Sequence, residues 1–394
     1  MRALLVALSP LCLSLFATTP LDLSRVQLES LEGVVREVEL DEFKTDDPRE
    51  LGAQLVRFSG LKQGQPLRGF IGEFQLASGD RLLANVLDGE AETLELKLLG
   101  EVQFSLSIDS LRSVRFAERI PAGWASRLEP ASEGDRLYRK TRAGLDRIDG
   151  TLVAFSKSGV TFDGALGEQL FEWKEVAALF IEVFEEEESS SLAGEVPVVV
   201  DLVDSSRLAG ALISLDEDLL KLRFEGSELE LATWSVAEVL VDDGKLQFLS
   251  DLTPVRVEEG SPFGDDLGMQ WPYRVDRSVT GEPLRVGGEV HRRGLGVHAP
   301  SKLTWNLDGQ WTKLRGMVAL DDQVRRLPAE GSVIFRILLD GKKAWESGIL
   351  HGGDSPAPIP AIELKGAAKL TLEVDMATEF HVADRADWIR VLLQ

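Results

Sequence analysis

Aromatic rings and hydrogen-bonding side chains are concentrated in residues 271–394, which we call the tail. Five of the eight tryptophans and all four histidines lie there. A sugar presents an apolar C–H face and a rim of hydroxyl groups, so a sugar site combines an aromatic ring with Asp, Asn, Arg or His side chains. The tail contains these residue types, and its candidate ligand-binding residues are Arg293, His298, Asp321, Asp322, Asp384, Asp387 and Trp388.

Several of these candidates also have a purely structural interpretation. His298 follows the turn Gly294-Leu295-Gly296 and can equally be a buried histidine bonded to the backbone. Trp388 precedes a terminal apolar strand, which favours packing in the core. Asp384 and Asp387 are therefore the better candidates in that stretch for facing a ligand or a cation.

The net charge of −23 belongs to the front of the chain. The tail has 17 basic and 16 acidic residues, whereas residues 1–270 have 26 basic and 50 acidic ones. Binding to nucleic acid or to an anionic membrane requires Lys and Arg in place of counterions. The charge pattern therefore argues against nucleic acid as a partner and predicts a binding unit attached to an acidic, solubilising body.

Five motifs occur in a fixed order along the tail. They contain Gly294-Leu295-Gly296-Val297-His298, Val318-Ala319-Leu320-Asp321-Asp322, Phe335-Arg336-Ile337-Leu338-Leu339-Asp340-Gly341, Trp345-Glu346-Ser347-Gly348 and Asp384-Arg385-Ala386-Asp387-Trp388. This order resembles the NPCBM family of carbohydrate-binding modules, β-sandwiches that are often appended to glycoside hydrolases. The resemblance covers about a third of the chain and implies a carbohydrate or glycan as the ligand.

Short alternating apolar runs predict strands throughout the tail. They cover residues 303–307, 314–320, 333–339, 370–374 and 388–392. Asp340-Gly341 between two of them predicts a hairpin turn. No window has a helical period, so we predict a jelly-roll β-sandwich over residues 271–394.

A repeated pattern predicts the fold of the front. Arg81, Arg147 and Arg207 each begin a short motif with apolar residues at its second and sixth positions and Ala or Gly at its fourth, and two further strands follow each copy. This is similar to SH3-like or Sm-like barrels. We predict tandem small β-barrels over residues 20–125, 126–184 and 196–256; the alternative is one large meandering sheet with similar hairpins.

Two stretches have the composition of linkers. Glu185-Glu186-Glu187-Glu188 precedes three serines, and mutual repulsion of these carboxylates favours an exposed acidic linker over residues 185–195. A calcium-collecting loop is the alternative. Gly, Pro and charged residues cluster over residues 257–270, where we predict the second linker.

The first 19 residues resemble a secretory signal peptide. A positive start at Arg2 is followed by an apolar run that is short for a membrane span and by small residues near Ala17. A buried N-terminal helix is the structural alternative. Leu11 precedes Cys12, the only cysteine, where a lipoprotein signal needs a small residue, so we expect no lipid anchor. We predict export to the periplasm, the cell surface or the medium, with no membrane insertion after the signal is removed.

Catalytic and metal-binding motifs are weak in this sequence. It lacks G-x-S-x-G, P-loop, dinucleotide and HExxH patterns, so no catalytic residues are assigned and zinc is poorly supported. A structural calcium ion built from several loops is a candidate. Paired carboxylates can hydrolyse glycosides, but 66 acidic residues make a close pair expected by chance.

These patterns together predict an exported, non-catalytic protein that binds a glycan through its tail. The first alternative is a structural or protein-interaction protein of the cell envelope, whose sandwich has lost sugar binding and whose barrels bind other envelope proteins along their sheet edges. The second is an accessory subunit or fragment of a glycoside hydrolase system.

Overall fold

The front of the chain begins with four strands around a hairpin. A computed structural model describes residues 25–59, 67–69, 71–124, 127–182, 194–260, 271–378 and 382–394. The predicted signal peptide and most of the predicted acidic linker lie outside these residues. The first strands are β1 (Arg25–Glu29), β2 (Val35–Glu39), β3 (Lys44–Thr45) and β4 (Leu55–Ser59). β1 pairs with both β2 and β4.

Three units of five strands follow. The first contains β5 (Ile71–Leu76), β6 (Arg81–Ala91), β7 (Thr93–Lys97), β8 (Gln103–Ser107) and β9 (Leu111–Arg115). The second contains β10 (Asp135–Lys140), β11 (Leu145–Ser156), β12 (Gly159–Gly164), β13 (Gly167–Glu172) and β14 (Val176–Phe180). The third contains β15 (Val196–Leu202), β16 (Arg207–Asp216), β17 (Leu219–Phe224), β18 (Ser227–Ala232) and β19 (Val236–Val241).

Each five-strand unit closes on itself. β5 pairs with β9, β10 with β14 and β15 with β19. The repeated motif that begins at Arg81, Arg147 or Arg207 lies on the second strand of its unit. The predicted all-β fold is confirmed. Buried and less buried residues alternate along β5 and β17, which puts an apolar face of these strands inside their units. The residue boundaries predicted for the barrels stay predictions.

The fourth position of the repeated motif lies where neighbouring backbones come close together. It is Ala84 in the first unit, Gly150 in the second and Gly210 in the third. A Cβ atom on Gly150 would lie 2.0 Å from the carbonyl oxygen of Asp163, and one on Gly210 would lie 2.3 Å from that of Arg223. The second and third units therefore require glycine at this position.

The three units are joined into one continuous sheet. β14 pairs with β9, β11 and β16 both pair with β6, and β19 pairs with β4, which gives a sheet of 19 strands. One apolar cluster extends from Val26 to Val241. The front therefore combines both arrangements considered from the sequence, since it contains closed units whose strands also form one large sheet.

The tail and the residues just before it form the remaining strands. These are β20 (Gln247–Phe248), β21 (Arg256–Glu259), β22 (Arg274–Val275), β23 (Leu284–Val286), β24 (Glu289–His291), β25 (Gly294–His298), β26 (Ser301–Asn306), β27 (Lys313–Leu320), β28 (Ser332–Leu339), β29 (Lys342–His351), β30 (Ala357–Glu363), β31 (Lys369–Met376) and β32 (Arg385–Leu393). The five strands predicted from apolar runs all lie within this set. Asp340-Gly341 is the predicted turn between β28 and β29, and both residues have positive φ.

Two sheets form the sandwich. One has the order β22-β25-β32-β27-β30, with β20 also paired to β32, and the other has the order β21-β26-β31-β28-β29. Trp388 of β32 and Phe335 of β28 meet edge to face between the sheets, with ring centroids 5.0 Å apart. Trp305 is also buried, and its indole N–H donates to the carbonyl oxygen of Leu252 at 2.9 Å.

The sandwich begins earlier in the chain than residue 271, where we predicted its start. β20 and β21 fall in the predicted third barrel and second linker, yet they pair with β32 and β26. Phe248 and Leu249 are fully buried, so the residues at β20 pack in a core. The connection thus contributes two strands to the sandwich, and the predicted boundaries at 256 and 270 stay predictions.

The helices of the described residues are short 3₁₀ turns. They are Leu40–Glu42, Pro48–Leu51, Ala117–Arg119, Thr233–Ser235, Leu249–Asp251 and Asp322–Arg326. None of the helices in the part of the chain that the structure describes is long and apolar enough to span a bilayer.

Candidate functional site

One end of the sandwich brings together four strand termini, and we call it the rim. β25 ends at His298 and β27 at Leu320, whereas β32 begins at Arg385. Antiparallel pairing puts His298 opposite Arg385 and Leu320 opposite Ala386, so these termini lie side by side. The start of β28 joins them, because Ser332 N–H donates to Asp384 Oδ1 at 2.8 Å. Of the predicted residues, the rim contains His298, Asp321, Asp322 and Asp384.

A stacked aromatic pair stands at the rim. The rings of Trp271 and His298 lie nearly parallel, at 13° with centroids 5.5 Å apart, and the Arg385 guanidinium carbon is 5.7 Å from the Trp271 centroid. His298 Nδ1 donates to the carbonyl oxygen of Ala299 at 2.9 Å. His298 is 8% exposed, whereas Trp271 is half-buried. The pair thus offers a partly accessible indole whose orientation is fixed by a buried histidine and a guanidinium group.

Gln323 connects Arg385 to the loop that follows β22. Its Oε1 accepts from Arg385 at 3.1 Å and from the Thr280 hydroxyl at 2.8 Å, and its Nε2 donates to the Ser278 hydroxyl at 2.9 Å. Ser278 is fully buried. Gln323 therefore fixes the Arg385 side chain beside Trp271 and ties the rim to the loop beneath it.

Asp322 and Asp384 have different surroundings. Asp322 is half-buried, accepts the backbone N–H groups of Gly287 and Gly288 at 3.1 and 2.7 Å, and lies 3.3 Å from the Arg325 guanidinium. Asp384 is fully buried and accepts from Ser332. Of these two carboxylates, only that of Asp322 is open to a ligand in solution.

Asp321 and Asp387 form a buried carboxyl pair under the rim. Both are shielded from solvent, with exposed fractions of 0% and 1%. The Asp321 oxygens accept the backbone N–H groups of Gln323 at 2.8 Å and Arg285 at 3.1 Å, whereas neither Asp387 oxygen accepts from a donor in the described residues. Burial raises the pKa of the Asp387 carboxyl well above its usual range, and the negative charge of Asp321 raises it further.

Arg293 lies at the opposite end of the sandwich from the rim. It precedes β25, is 1% exposed, and its guanidinium group lies 2.5 Å from both Asp201 and Asp251. It also lies over the Phe248 ring, at 4.7 Å from the centroid. This predicted ligand-binding residue therefore contacts the front of the chain.

Further ion pairs surround Arg293 where the front meets the sandwich, and we call this region the junction. Arg207 contacts Asp201 at 2.9 Å and Asp276 at 2.8 Å, and Arg315 contacts Glu29 at 2.8 Å. Burial alone would raise the pKa of the Asp201 carboxyl, but the charges of Arg293 and Arg207 hold it below its usual value. The junction thus pairs charges of the acidic front with arginines that include two of the tail, Arg293 and Arg315.

Trp388 packs in the core, which is the structural interpretation considered from the sequence. It is fully buried, and its ring packs on Phe335 between the two sheets. Alternation along β32 explains why, since Trp388 points into the core while Asp387 points to the other face of its sheet. A ligand at the rim cannot reach the Trp388 ring.

The fit of a calcium ion can be tested on the buried carboxyl pair. Calcium takes about six to eight oxygen ligands. In the described ranges, no group of three or more His, Cys, Asp or Glu side chains is arranged to hold a metal ion. Both Asp321 oxygens already accept backbone hydrogen bonds. The pair fits a shared proton better than it fits calcium, and a structural calcium ion stays a prediction.

Three residues at the rim, Trp271, Arg385 and Gln323, were absent from the candidates selected from the sequence. Trp271 had the right residue type, but it stands alone between a Gly-rich stretch and β22. Arg385 lies within the motif Asp384-Arg385-Ala386-Asp387-Trp388, where its neighbours were selected instead. Gln323 carries no sequence signal, since glutamine is common on surfaces.

The sandwich matches a known family. Residues 245–394 match the family model described as NPCBM/NEW2 domain, and the predicted resemblance of the C-terminal third is confirmed. The match begins just before β20, in agreement with the strand pairing. It supports carbohydrate binding by this part of the chain.

Two curated proteins are similar to part of this chain. A protein of Akkermansia muciniphila named alpha-1,3-galactosidase B is 30% identical over 120 residues, which are 29% of this chain and 14% of that protein. A protein of Renibacterium salmoninarum named as an endo-alpha-N-acetylgalactosaminidase is 28% identical over 108 residues, 27% of this chain and 7% of that protein. The chain thus spans only a small part of the length of these relatives.

Among solved structures, a CBM51 module of Clostridium perfringens in complex with methyl-galactose is similar to this chain. The similarity has a TM-score of 0.33 and 20% identity, and it covers 38% of this chain and 99% of that one.

Proposed function

Because residues 245–394 match an NPCBM/NEW2 domain, we propose that this protein is an exported, non-catalytic carbohydrate-binding protein whose glycan binds at the rim. The family match is the observation that carries the proposal. The position of an accessible tryptophan beside an arginine at one end of this domain supports the location of the site.

Recognition at the rim combines stacking with hydrogen bonding. The half-buried Trp271 ring offers a face to the apolar C–H surface of a sugar. Arg385, fixed by Gln323, donates to hydroxyl oxygens, and Asp322 accepts from hydroxyl groups. Arg293 and Trp388 are left out of the proposed site, since one contacts the front and the other lies in the core.

The buried carboxyl pair supports a non-catalytic role. Glycoside hydrolysis requires two carboxyl groups that flank a glycosidic bond within reach of substrate and water. Asp321 and Asp387 are neighbours, but neither is exposed. Their proposed task is to stabilise the loop beneath the rim.

An accessory role in a glycoside hydrolase system is the second candidate. It is favoured by the names of the two curated relatives, which describe glycosidases. Release of reducing ends by the full chain from a galactoside, lost on substitution of a carboxylate, would replace the non-catalytic proposal with a hydrolase.

Substitution of Trp271 tests the site. We expect Trp271→Ala to weaken glycan binding by about tenfold or more, which corresponds to about 1.4 kcal/mol, because the stacking face is lost. The measurement is calorimetric titration of the full chain with a panel of mono- and polysaccharides that includes α-galactosides and N-acetylgalactosaminides.

The control is Asn306→Ala, which changes an exposed polar residue at the far end of β26. It should leave the dissociation constant unchanged. The proposed site would be refuted if the unaltered chain bound none of the sugars in the panel, or if both variants lost the same amount of glycan affinity.

A further inference from the structure

The second five-strand unit has an open edge at β13. In the part of the chain that the structure describes, β13 pairs with β12 and with no other strand. Gly164 and Gly167 pair across a two-residue turn. Along an antiparallel strand the backbone N–H and C=O groups of successive residues point alternately toward and away from the partner strand. Counted from Gly167, those of Glu168 and Leu170 point away from β12. These groups form an unused row of donors and acceptors.

The equivalent strands of the other two units cover each other. β8 and β18 lie in contact, and Phe104 of β8 packs edge to face on Phe224 at 5.8 Å. The Ser110 hydroxyl donates to Glu225 at 2.5 Å beside them. Two of the three fourth strands therefore face one another, whereas the third has no counterpart among the described residues.

A groove of about 680 Å³ with a mixed polar and apolar lining lies beside β13, between the tips of the β10–β11 and β12–β13 hairpins. Leu145, Phe162 and Phe171 form its buried wall, and Leu166 at the hairpin tip is 87% exposed. The charged residues at its edge pair among themselves, Arg139 with Asp146 at 2.8 Å and Arg147 with Asp149 at 3.0 Å. The charges of the groove therefore balance, and its wall of Leu145, Phe162 and Phe171 is the part that can receive apolar side chains.

The opposite face of β13 is acidic. Glu168, Leu170 and Glu172 alternate along it, and all three are exposed. Glu172 also contacts Lys174 at 2.5 Å, which leaves Glu168 as the stronger attraction for a cation. A strand added here would place one set of its side chains beside these carboxylates and the other set beside Phe171 and the groove.

We propose that β13 docks an extended segment of a partner protein in which basic residues alternate with apolar ones. The basic side chains pair with Glu168 and Glu172, the apolar ones enter the groove, and the backbone completes the sheet. This surface is separate from the rim, so a partner and a glycan can bind at the same time.

Peptide titration tests the proposal on the full chain. Two fluorescent peptides of about nine residues, one alternating Lys with Val and one alternating Glu with Val, are titrated at physiological salt, with anisotropy as the readout. We expect the Lys/Val peptide to bind about tenfold or more tightly than the Glu/Val peptide. Glu168→Lys combined with Glu172→Lys should reverse this preference.

Two controls separate strand addition from simple charge attraction. Glu228→Lys combined with Glu230→Lys makes the same charge change on β18, whose residues at these positions are also exposed, and should change the affinity less than twofold. A Lys/Val peptide with N-methyl groups on alternate backbone nitrogens keeps the charge but cannot form the ladder, and should lose binding.

The proposal is overturned if the N-methylated peptide binds equally well or if the β13 and β18 variants behave alike. It is also overturned if sedimentation shows dimers that dissociate in the β13 variant, because the occupant is then a second copy of the chain.

Discussion

Asp387 shows how one buried carboxyl group links the stability of the rim to pH. Its pKa is raised above the usual carboxyl value of about 4 by burial and by Asp321. The folded protein therefore keeps a proton that the unfolded chain loses, so stability contributed by this group is complete below about pH 4 and decreases as pH rises through the raised pKa.

We expect Asp387→Asn to be more stable than the unaltered chain at about pH 8, and this advantage to shrink toward pH 4. Each unit of pKa difference between the folded and unfolded chains is worth about 1.4 kcal/mol. Urea unfolding at several pH values measures the difference. Asp109→Asn, at an exposed position of the front, is the control and should show no change with pH. A variant that is equally destabilised at every pH would show that Asp387 is charged and paired in the folded protein, as in a calcium site.

The residue types of the site could be predicted, but their roles could not. The motif around Asp384 lies at the rim, and it contains Arg385, Asp387 and Trp388. Which of these contacts ligand depends on the face of β32 that each occupies and on the loop that covers that face. Those are long-range contacts, and no local pattern encodes them.

At the scale of the element, the glycine at the fourth position of the repeated motif lets the second strand of a unit lie close to the backbone of the third strand. We expect Gly210→Ala to lower the free energy of unfolding by about 1–3 kcal/mol, because the new Cβ atom would overlap a backbone carbonyl that cannot move freely. Thermal unfolding measures the loss.

Gly260→Ala is the matched control. Among the described residues, no atom outside the chain neighbours of Gly260 lies within 4 Å of a Cβ atom built there, and this substitution should leave the melting temperature unchanged. Equal melting temperatures for the Gly210 variant and the unaltered chain would show that β16 can shift away from Arg223.

Strands long enough to show alternation were predictable, and shorter ones were not. β26, β27 and β28 were recognised from their apolar runs, and Asp340-Gly341 from its turn chemistry. β20 has only two residues and carries no period, so its place in the sandwich follows only from its pairing with β32. The pairing between strands of different units could not be predicted from the sequence either, because it depends on surfaces that meet only after folding.

At the scale of the whole molecule, Arg293 links the front to the sandwich. Arg293→Ala removes one of the two guanidinium groups that pair with the buried Asp201 carboxylate and leaves Arg207 at 2.9 Å, so we expect a cost below the about 3–5 kcal/mol of a buried charge with no partner. Since the pKa of Asp201 is held below its usual value, this cost should be complete near neutral pH and decrease as Asp201 becomes protonated below about pH 4.

Calorimetry measures this effect, and we expect one unfolding transition to separate into two in the variant. Arg256→Ala breaks an exposed pair with Glu258 at 3.1 Å and is the control, with an expected cost of about 0–1 kcal/mol. A variant that still unfolds in one transition at an unchanged temperature would show that the apolar contacts around Phe248 alone join the two parts.

For the glycan binding that we propose at the rim, the buried charges of the junction limit how the protein would engage a crowded glycan surface. A module on a flexible tether swivels to reach whichever sugar is nearest, and it gains avidity over a broad range of ligand spacings. A sandwich joined to the acidic front by the buried ion pairs of Arg293 and Arg315 has less such reach. Multivalent attachment would therefore depend on how neighbouring copies are spaced on their support, and glycans at a matching spacing would be retained in preference to denser or sparser ones.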